Sequence, residues 1–182
     1  MSLLDIIIVA LVLSVDAAGA ITSSVATIKD GDIVKVMLVP VLFGVIQAVL
    51  PAIGYFLLVF SGLDPGMFSK LLVCLILAFI GFRIIFCYFK PDKRKIKPKP
   101  DMPASNLVMQ AFYTGIDAFV VGIGLAAAGS GILLPSLVFL FTTAATGFLY
   151  MFYGRKIGNF ITERILLAGG IAIVAVGIKA LF

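Results

Sequence analysis

Six stretches of eighteen residues or more, each carrying few charges, dominate this chain: 3–28, 33–60, 67–89, 105–128, 132–153 and 165–182. The hydrocarbon core of a bilayer takes ~20 apolar residues of helix to cross, so each stretch has the length and character of a span. A membrane β-barrel would need strict alternation of apolar and polar residues. Runs such as LLDIIIVALVL and LLVCLILAFIGF are apolar on every face, which calls for helices. A hydrophobic content of 62% plus 18 glycines also lies far above the ~45–50% of a soluble domain. The expected fold is an all-α membrane protein of six transmembrane helices. The N-terminus lacks the positive region of a signal peptide, so the first apolar stretch is expected to be retained as the first span.

The separators are KDGD, SGLDPG, the basic proline-rich run KPDKRKIKPKP, GSG and GRKIGNFITER. Alternate loops collect eleven lysines and arginines on one side against two on the other, Lys70 and Lys179. The positive-inside rule then puts the 91–104 linker in the cytoplasm and both termini outside. Residues 1–90 and 105–182 read as two related halves. SVDAAGAI in the first parallels GIDAFVVGI in the second, and AFIGFRIIF parallels VAVGIKALF, which sets Asp16 against Asp117, Gly81 against Gly177 and Arg83 against Lys179. Two homologous halves of three spans each must lie in opposite orientations, giving the inverted three-helix repeats common among secondary transporters.

The chain has no histidine, and its two cysteines, Cys74 and Cys87, stand thirteen residues apart, roughly 140° around a helix. The usual zinc, copper, haem and iron–sulfur ligand sets are therefore missing, and a metal would have to be held by oxygen. No cofactor is expected to be permanently bound. A net charge of +5 gives no case for nucleic acid, because the basic run lies between two spans as an orientation signal. No nucleophile and base pair points to an enzyme. The partners expected are membrane lipid and a small cation, in a multi-pass membrane protein with the oligomeric state open.

Asp16 and Asp117 each lie more than ten residues inside an apolar stretch, where a charge costs several kcal/mol unless it is paired or faces a cavity. A packing role, as a protonated hydrogen-bonding group or as the partner of Arg83, is the bland alternative. Helical neighbours continue each face towards the cytoplasmic end: Gly19, Ser23 and Thr27 from Asp16, and Thr114, Tyr113, Gln110 and Asn106 from Asp117. These stripes form a candidate pathway, although small residues such as Gly19 also serve close helix packing. The second and fifth stretches add Gln47, Pro51, Thr142, Thr143 and Thr146. Amide and hydroxyl oxygens suit a hard cation, and a proline frees backbone carbonyls that a cavity can use. Arg83 and Lys179 are expected to snorkel towards opposite interfaces as structural anchors.

At these positions the chain resembles a family. SVDA in the first span, IDAFVVGIGLA in the fourth, G-x-R in the third and GGIAIVAVGI at the end are similar to motifs of the bacterial manganese exporters of the MntP type, in the lysine-exporter superfamily. The resemblance implies Mn²⁺ as transported substrate, export from the cytoplasm by cation/proton exchange across a bacterial inner membrane, and a metal site formed by Asp16, Asp117 and the position of Gln47. Family members tend to carry Glu where this chain has Gln47, and Ser where it has Gly115. Two other readings stay open on the residues alone: an exporter of another divalent cation or of an amino acid, whose amine would pair with the aspartates, and a non-transporting membrane protein of the sporulation type.

Overall fold

The computed structural model describes residues 2–25, 28, 33–62, 68–89 and 104–179, with backbone only at 87–89, 104 and 154–163. Among the described residues there are five α-helices: α1 Leu3–Val25, α2 Ile33–Phe60, α3 Ser69–Phe89, α4 Ala104–Ala127 and α5 Leu133–Lys179. Local chemistry fixes several ends. Ser2 and Asp5 cap α1 reciprocally, the Ser2 N–H donating to Asp5 Oδ2 (2.9 Å) and the Asp5 N–H to Ser2 Oγ (3.3 Å), which satisfies donors that a helix start leaves open. Gly129, at φ +65°, follows α4 in the left-handed conformation. That turn lets the Ser130 N–H reach the Leu125 carbonyl at 3.0 Å, the pattern of a Schellman stop.

Among the described residues, five segments are long and apolar enough to cross a membrane: Leu3–Val25, Ile33–Phe60, Ser69–Phe86, Ser105–Ala127 and Leu133–Tyr153. Their outer faces carry exposed Leu11, Phe60, Phe79, Leu133 and Phe141, side chains that hydrocarbon solvates. With lipid outside, inter-helix contact depends on close packing of small residues. At the α2–α4 contact, a methyl on Gly54 would overlap the Phe119 carbonyl, and one on Gly122 would overlap the Pro51 carbonyl. The two backbones therefore touch, running in the same direction. Gly19, by contrast, has open space around it, so the small residues that bring helices together are elsewhere than α1 suggested.

The segment GRKIGNFITER, expected as a separator, has helical backbone, and α5 spans 47 residues, Leu133–Lys179. Residues 154–164 hold no proline to stop a helix. Yet α5 cannot be straight. Ser14 bonds Thr146 at 3.1 Å and Ile21 lies against Gly147, while Val12 lies against Gly169 and Asp5 against Lys179. Gly147 and Gly169 would be about 33 Å apart on a straight helix, but they meet α1 at Ile21 and Val12, only about 14 Å apart along it. The first arm (133–153) and second arm (164–179) thus lie against α1 in opposite directions. The second arm also packs tightly on α3: a β-carbon at Gly81 would lie 2.7 Å from the Gly170 carbonyl oxygen, and one at Gly177 would lie 3.2 Å from that of Cys74.

Among the described residues, most buried apolar side chains fall into two clusters. One holds Val9, Leu13, Leu77, Val121, Leu125, Phe139 and Ile173 among others. The other gathers Ala17, Ile21, Val39, Phe43 and Ala111. They stack along the bundle, since α1 enters the first with residues 6–13 and the second with 17–21, and the break between them positions the polar residues.

Candidate functional site

Between the two clusters lies a polar layer. Asp16 stands directly before Ala17 of one cluster and three residues after Leu13 of the other, and Asp117 falls between Ala111 and Val121. α1 and α4 are antiparallel, because residues near the start of α1 share a cluster with the end of α4 and the reverse. Ser24 Oγ donates to Gln110 Oε1 at 2.9 Å, and Gln110 Nε2 donates to Ser23 Oγ at 3.3 Å. Asp16 is seven residues from Ser23, and Asp117 seven from Gln110, so the two aspartates stand level with each other across the pair. Asp117 is buried (4% exposed) and Asp16 half-buried.

Gln47 enters the same layer from α2, after Phe43. It is fully buried, and neither its amide oxygen nor its amide nitrogen has a hydrogen-bond partner. Pro51, four residues on, has no N–H, so the Gln47 carbonyl also loses its i+4 donor. Thr143 on the first arm of α5, opposite α2, is likewise fully buried with an unpartnered hydroxyl. α2 and this arm meet where Gly44 lies against Leu140 and Ala144, which puts Thr143 within about a turn of Gln47. Burying polar groups without partners costs about 1–3 kcal/mol each. Unpaired oxygens at that depth mark a place for water or an ion.

Of the two cations, Arg83 departs from its expected course. The Arg83 guanidinium does not snorkel to an interface but donates through Nη1 to Asp117 Oδ2, forming an ion pair. The Arg83 side chain is 42% exposed on the outer face while its head reaches inward to the buried carboxylate. Lys179 Nζ donates to Asp5 Oδ1 at 2.8 Å, near the capped start of α1. Among the described residues no group of three or more Cys, Asp or Glu side chains is arranged to hold a metal. A cation here would need oxygens from amide, hydroxyl or backbone groups besides the two carboxylates.

Of the pathway residues, Ser23 and Gln110 are tied across α1 and α4, and Thr114 Oγ1 donates to its own helix at Gln110 O and Ala111 O. Asn106 and Tyr113 lie on the exposed face of α4, Tyr113 beside an apolar groove with Met109 and Phe112. Thr146 bonds Ser14, whereas Thr142 donates to its own helix at Val138 O, 2.6 Å. Thr27 and the 91–103 part of the linker lie outside the described residues. Ser14 and Ser24, passed over in the sequence, belong to the polar network, and Asp5, whose place at a span end suggests a solvated role, is buried and paired with Lys179. The signal for Asp5 was its place on the helical stripe Asp5, Val9, Val12, Asp16.

A bundle of apolar helices that closes on a layer of carboxylates, an amide and hydroxyls, with a counter-charge reaching in, defines a membrane transport protein rather than an enzyme. The chain belongs to the family whose model is described as "Putative manganese efflux pump", which matches residues 30–181. Relatives carrying the name putative manganese efflux pump MntP include those of Methanosarcina mazei (30% identical, covering 100% of this chain and 96% of the relative) and Rippkaea orientalis (28%, 100% and 96%). A third, from Pseudomonas syringae pathovar tomato, is 25% identical over 100% of this chain and 96% of its own length. No solved structure matches the chain.

Proposed function

We propose that this protein exports Mn²⁺ from the cytoplasm, binding it in the polar layer between Asp16 and Asp117 with oxygens of Gln47 and Thr143 completing the shell. The observation that carries the assignment is the layer itself: level carboxylates beside a buried amide and hydroxyl without partners, in a chain whose family is named for manganese efflux. Manganese favours such oxygen ligands. The ion has to displace Arg83 from Asp117, and exchange of protons for metal on the carboxylates is the route to cation/proton exchange.

In this reading α5 supplies two spans, giving six in all, arranged as inverted repeats 1–90 and 105–182 about a cytoplasmic 91–104 linker, with both termini outside a bacterial inner membrane. The opposite directions of the two α5 arms support six crossings. The glycine contacts support the repeat. Adding 96 takes Gly81, Cys74 and Ala78 to Gly177, Gly170 and Val174, and Gly81 meets Gly170 and Val174 just as Gly177 meets Cys74 and Ala78. Ser23, Gln110, Thr114 and Thr146 line or flank the route in this reading, with Asn106 and Tyr113 beside it on the outer face of α4, Pro51 freeing the Gln47 carbonyl and Lys179 anchoring α5. The test is metal-resolved transport in proteoliposomes: Mn²⁺ moves with an opposing proton flux. Selective movement of amino acids, or no movement of any metal, would overturn the assignment.

A further inference from the structure

The repeat correspondence steps by 101 residues from α1 to α4, taking Asp16 to Asp117, and by 96 from α3 to the second arm of α5, taking Arg83 to Lys179. Contacts between α3 and the second arm obey it. Contacts that link this pair to α1 and α4 do not. Arg83 holds Asp117, and the correspondence therefore calls for Lys179 on Asp16; Lys179 instead holds Asp5, eleven residues away on the same stripe of α1. Gly124 lies against Ile76, which calls for Ser23 against Ala172, yet Gly169, three residues from Ala172, sits on Val12. Both misses run in the same direction along α1, by roughly 15–20 Å of helix rise. The α3–second arm pair is symmetric in itself but displaced along the rest of the bundle.

Inverted repeats displaced from symmetry have a second arrangement, in which the two halves exchange contacts. We propose that Arg83 and Lys179 are alternating counter-ions of the transport cycle: in the exchanged state Arg83 leaves Asp117 and Lys179 takes Asp16. The inference rests on the reading of the aspartates as metal carriers and of the halves as repeats. The two states are not electrically equal. The counterpart of Asp5 is Asn106, so Arg83 in the exchanged state meets an amide instead of a carboxylate. Of the pairs that Arg83 and Lys179 make, the arrangement seen holds two, with Asp117 and Asp5, and the exchanged one keeps a single pair, with Asp16. Without metal the first is preferred. A divalent ion on Asp117 replaces the guanidinium, removes that preference and frees the pair to move. Arg83 is thus a positioning residue that makes movement depend on occupancy.

Cysteine pairs in a Cys74→Ser, Cys87→Ser background report the two states. A β-carbon at Gly169 would lie 3.2 Å from Val12 Cβ, near the ~3.8 Å of a disulfide, so Val12→Cys with Gly169→Cys captures the arrangement seen. Its counterpart is Tyr113→Cys with Val73→Cys, about 20 Å apart in this arrangement by helix rise. In proteoliposomes the 12–169 bond should form without metal and the 73–113 bond on addition of Mn²⁺. Asn106→Asp restores a carboxylate for Arg83 and should raise metal-free 73–113 bonding about fivefold or more, the scale of a coupling free energy. Arg83→Lys should keep the Mn²⁺ response, and Arg83→Gln should lose it. Failure of the 73–113 bond to form in protein that exports Mn²⁺, or a yield unmoved by Asn106→Asp, overturns the exchange; if Arg83→Gln does not reach the membrane, Asn106→Asp alone decides. Normal export by Asp16→Asn and Asp117→Asn would instead overturn the metal-site reading beneath it.

Discussion

Replacing Gln47 with methionine removes the amide while nearly preserving length and volume. The amide is fully buried with both polar atoms unpaired, and leaving such a group without partners costs about 1–3 kcal/mol. Metal-free Gln47→Met protein should therefore be more stable than the parent by up to that amount, with its thermal midpoint in detergent raised by a few degrees. The metal response should move the opposite way. At Mn²⁺ a hundredfold above the dissociation constant, binding stabilises the parent by about 2.7 kcal/mol. Loss of one oxygen ligand that weakens binding about tenfold would cut this to about 1.4 kcal/mol. Melts with and without Mn²⁺ measure both terms. A variant less stable without metal, with an unchanged Mn²⁺ shift, would show that the amide joins two helices and does not face the ion. Gln47→Glu gives the converse: tighter Mn²⁺ binding with stability retained if position 47 is in the shell, lost stability with unchanged affinity if it is not.

Asp16→Asn and Asp117→Asn should each abolish manganese tolerance in cells lacking their own exporter, scored by growth on Mn²⁺ beside membrane abundance. Asp117→Asn also strands the Arg83 charge, so Asp117→Asn with Arg83→Gln should recover abundance without recovering export; recovered export would make Asp117 a packing residue. Gly122→Ala forces a methyl into the Pro51 carbonyl and should cost about 1–3 kcal/mol as overpacking, read from denaturation in detergent. Asp5→Asn removes the partner of a Lys179 side chain that is 64% exposed. Although the Asp5 carboxylate is only 9% exposed, Asn keeps its cap to Ser2 and the lysine end of the pair lies open to solvent, so the loss should stay within about 1 kcal/mol, and a larger loss would place this pair inside the fold's core energetics.

Helix positions were legible from apolar length alone, because a span has to be about as long as the hydrocarbon is thick. Leu3–Val25, Ile33–Phe60 and Ala104–Ala127 fall within a few residues of the apolar stretches. The joint of α5 was misread, since GRKIGNFITER is polar enough for a loop but holds no residue that forbids helix. Asp16 and Asp117 stood out because charge inside such runs is costly. Gln47 and Thr143 stood out only weakly, as an amide shortly before a proline and one threonine among several. The partner choices of Arg83 and Lys179 were not legible: helix period gives a residue's face, while the sliding register between helices decides which carboxylate that face meets. The close approach at Gly54 and Gly122 was hidden for the same reason, as any of the 18 glycines was eligible.

The position of the polar layer between two apolar clusters has an electrical consequence. A membrane at 100 mV changes the energy of a unit charge by about 2.3 kcal/mol across its full thickness, so a divalent cation leaving a cell that is negative inside climbs about 4.6 kcal/mol. If the ion rests on Asp16 and Asp117 as proposed, carboxylates part-way through the bundle divide that climb into two shorter ones, entry and release. In the proposed exchange, the guanidinium that leaves Asp117 as the ion arrives also offsets part of the charge brought into the field. The voltage dependence of Mn²⁺ efflux should then fall well below that of two charges crossing in one step, and Arg83→Gln should steepen it.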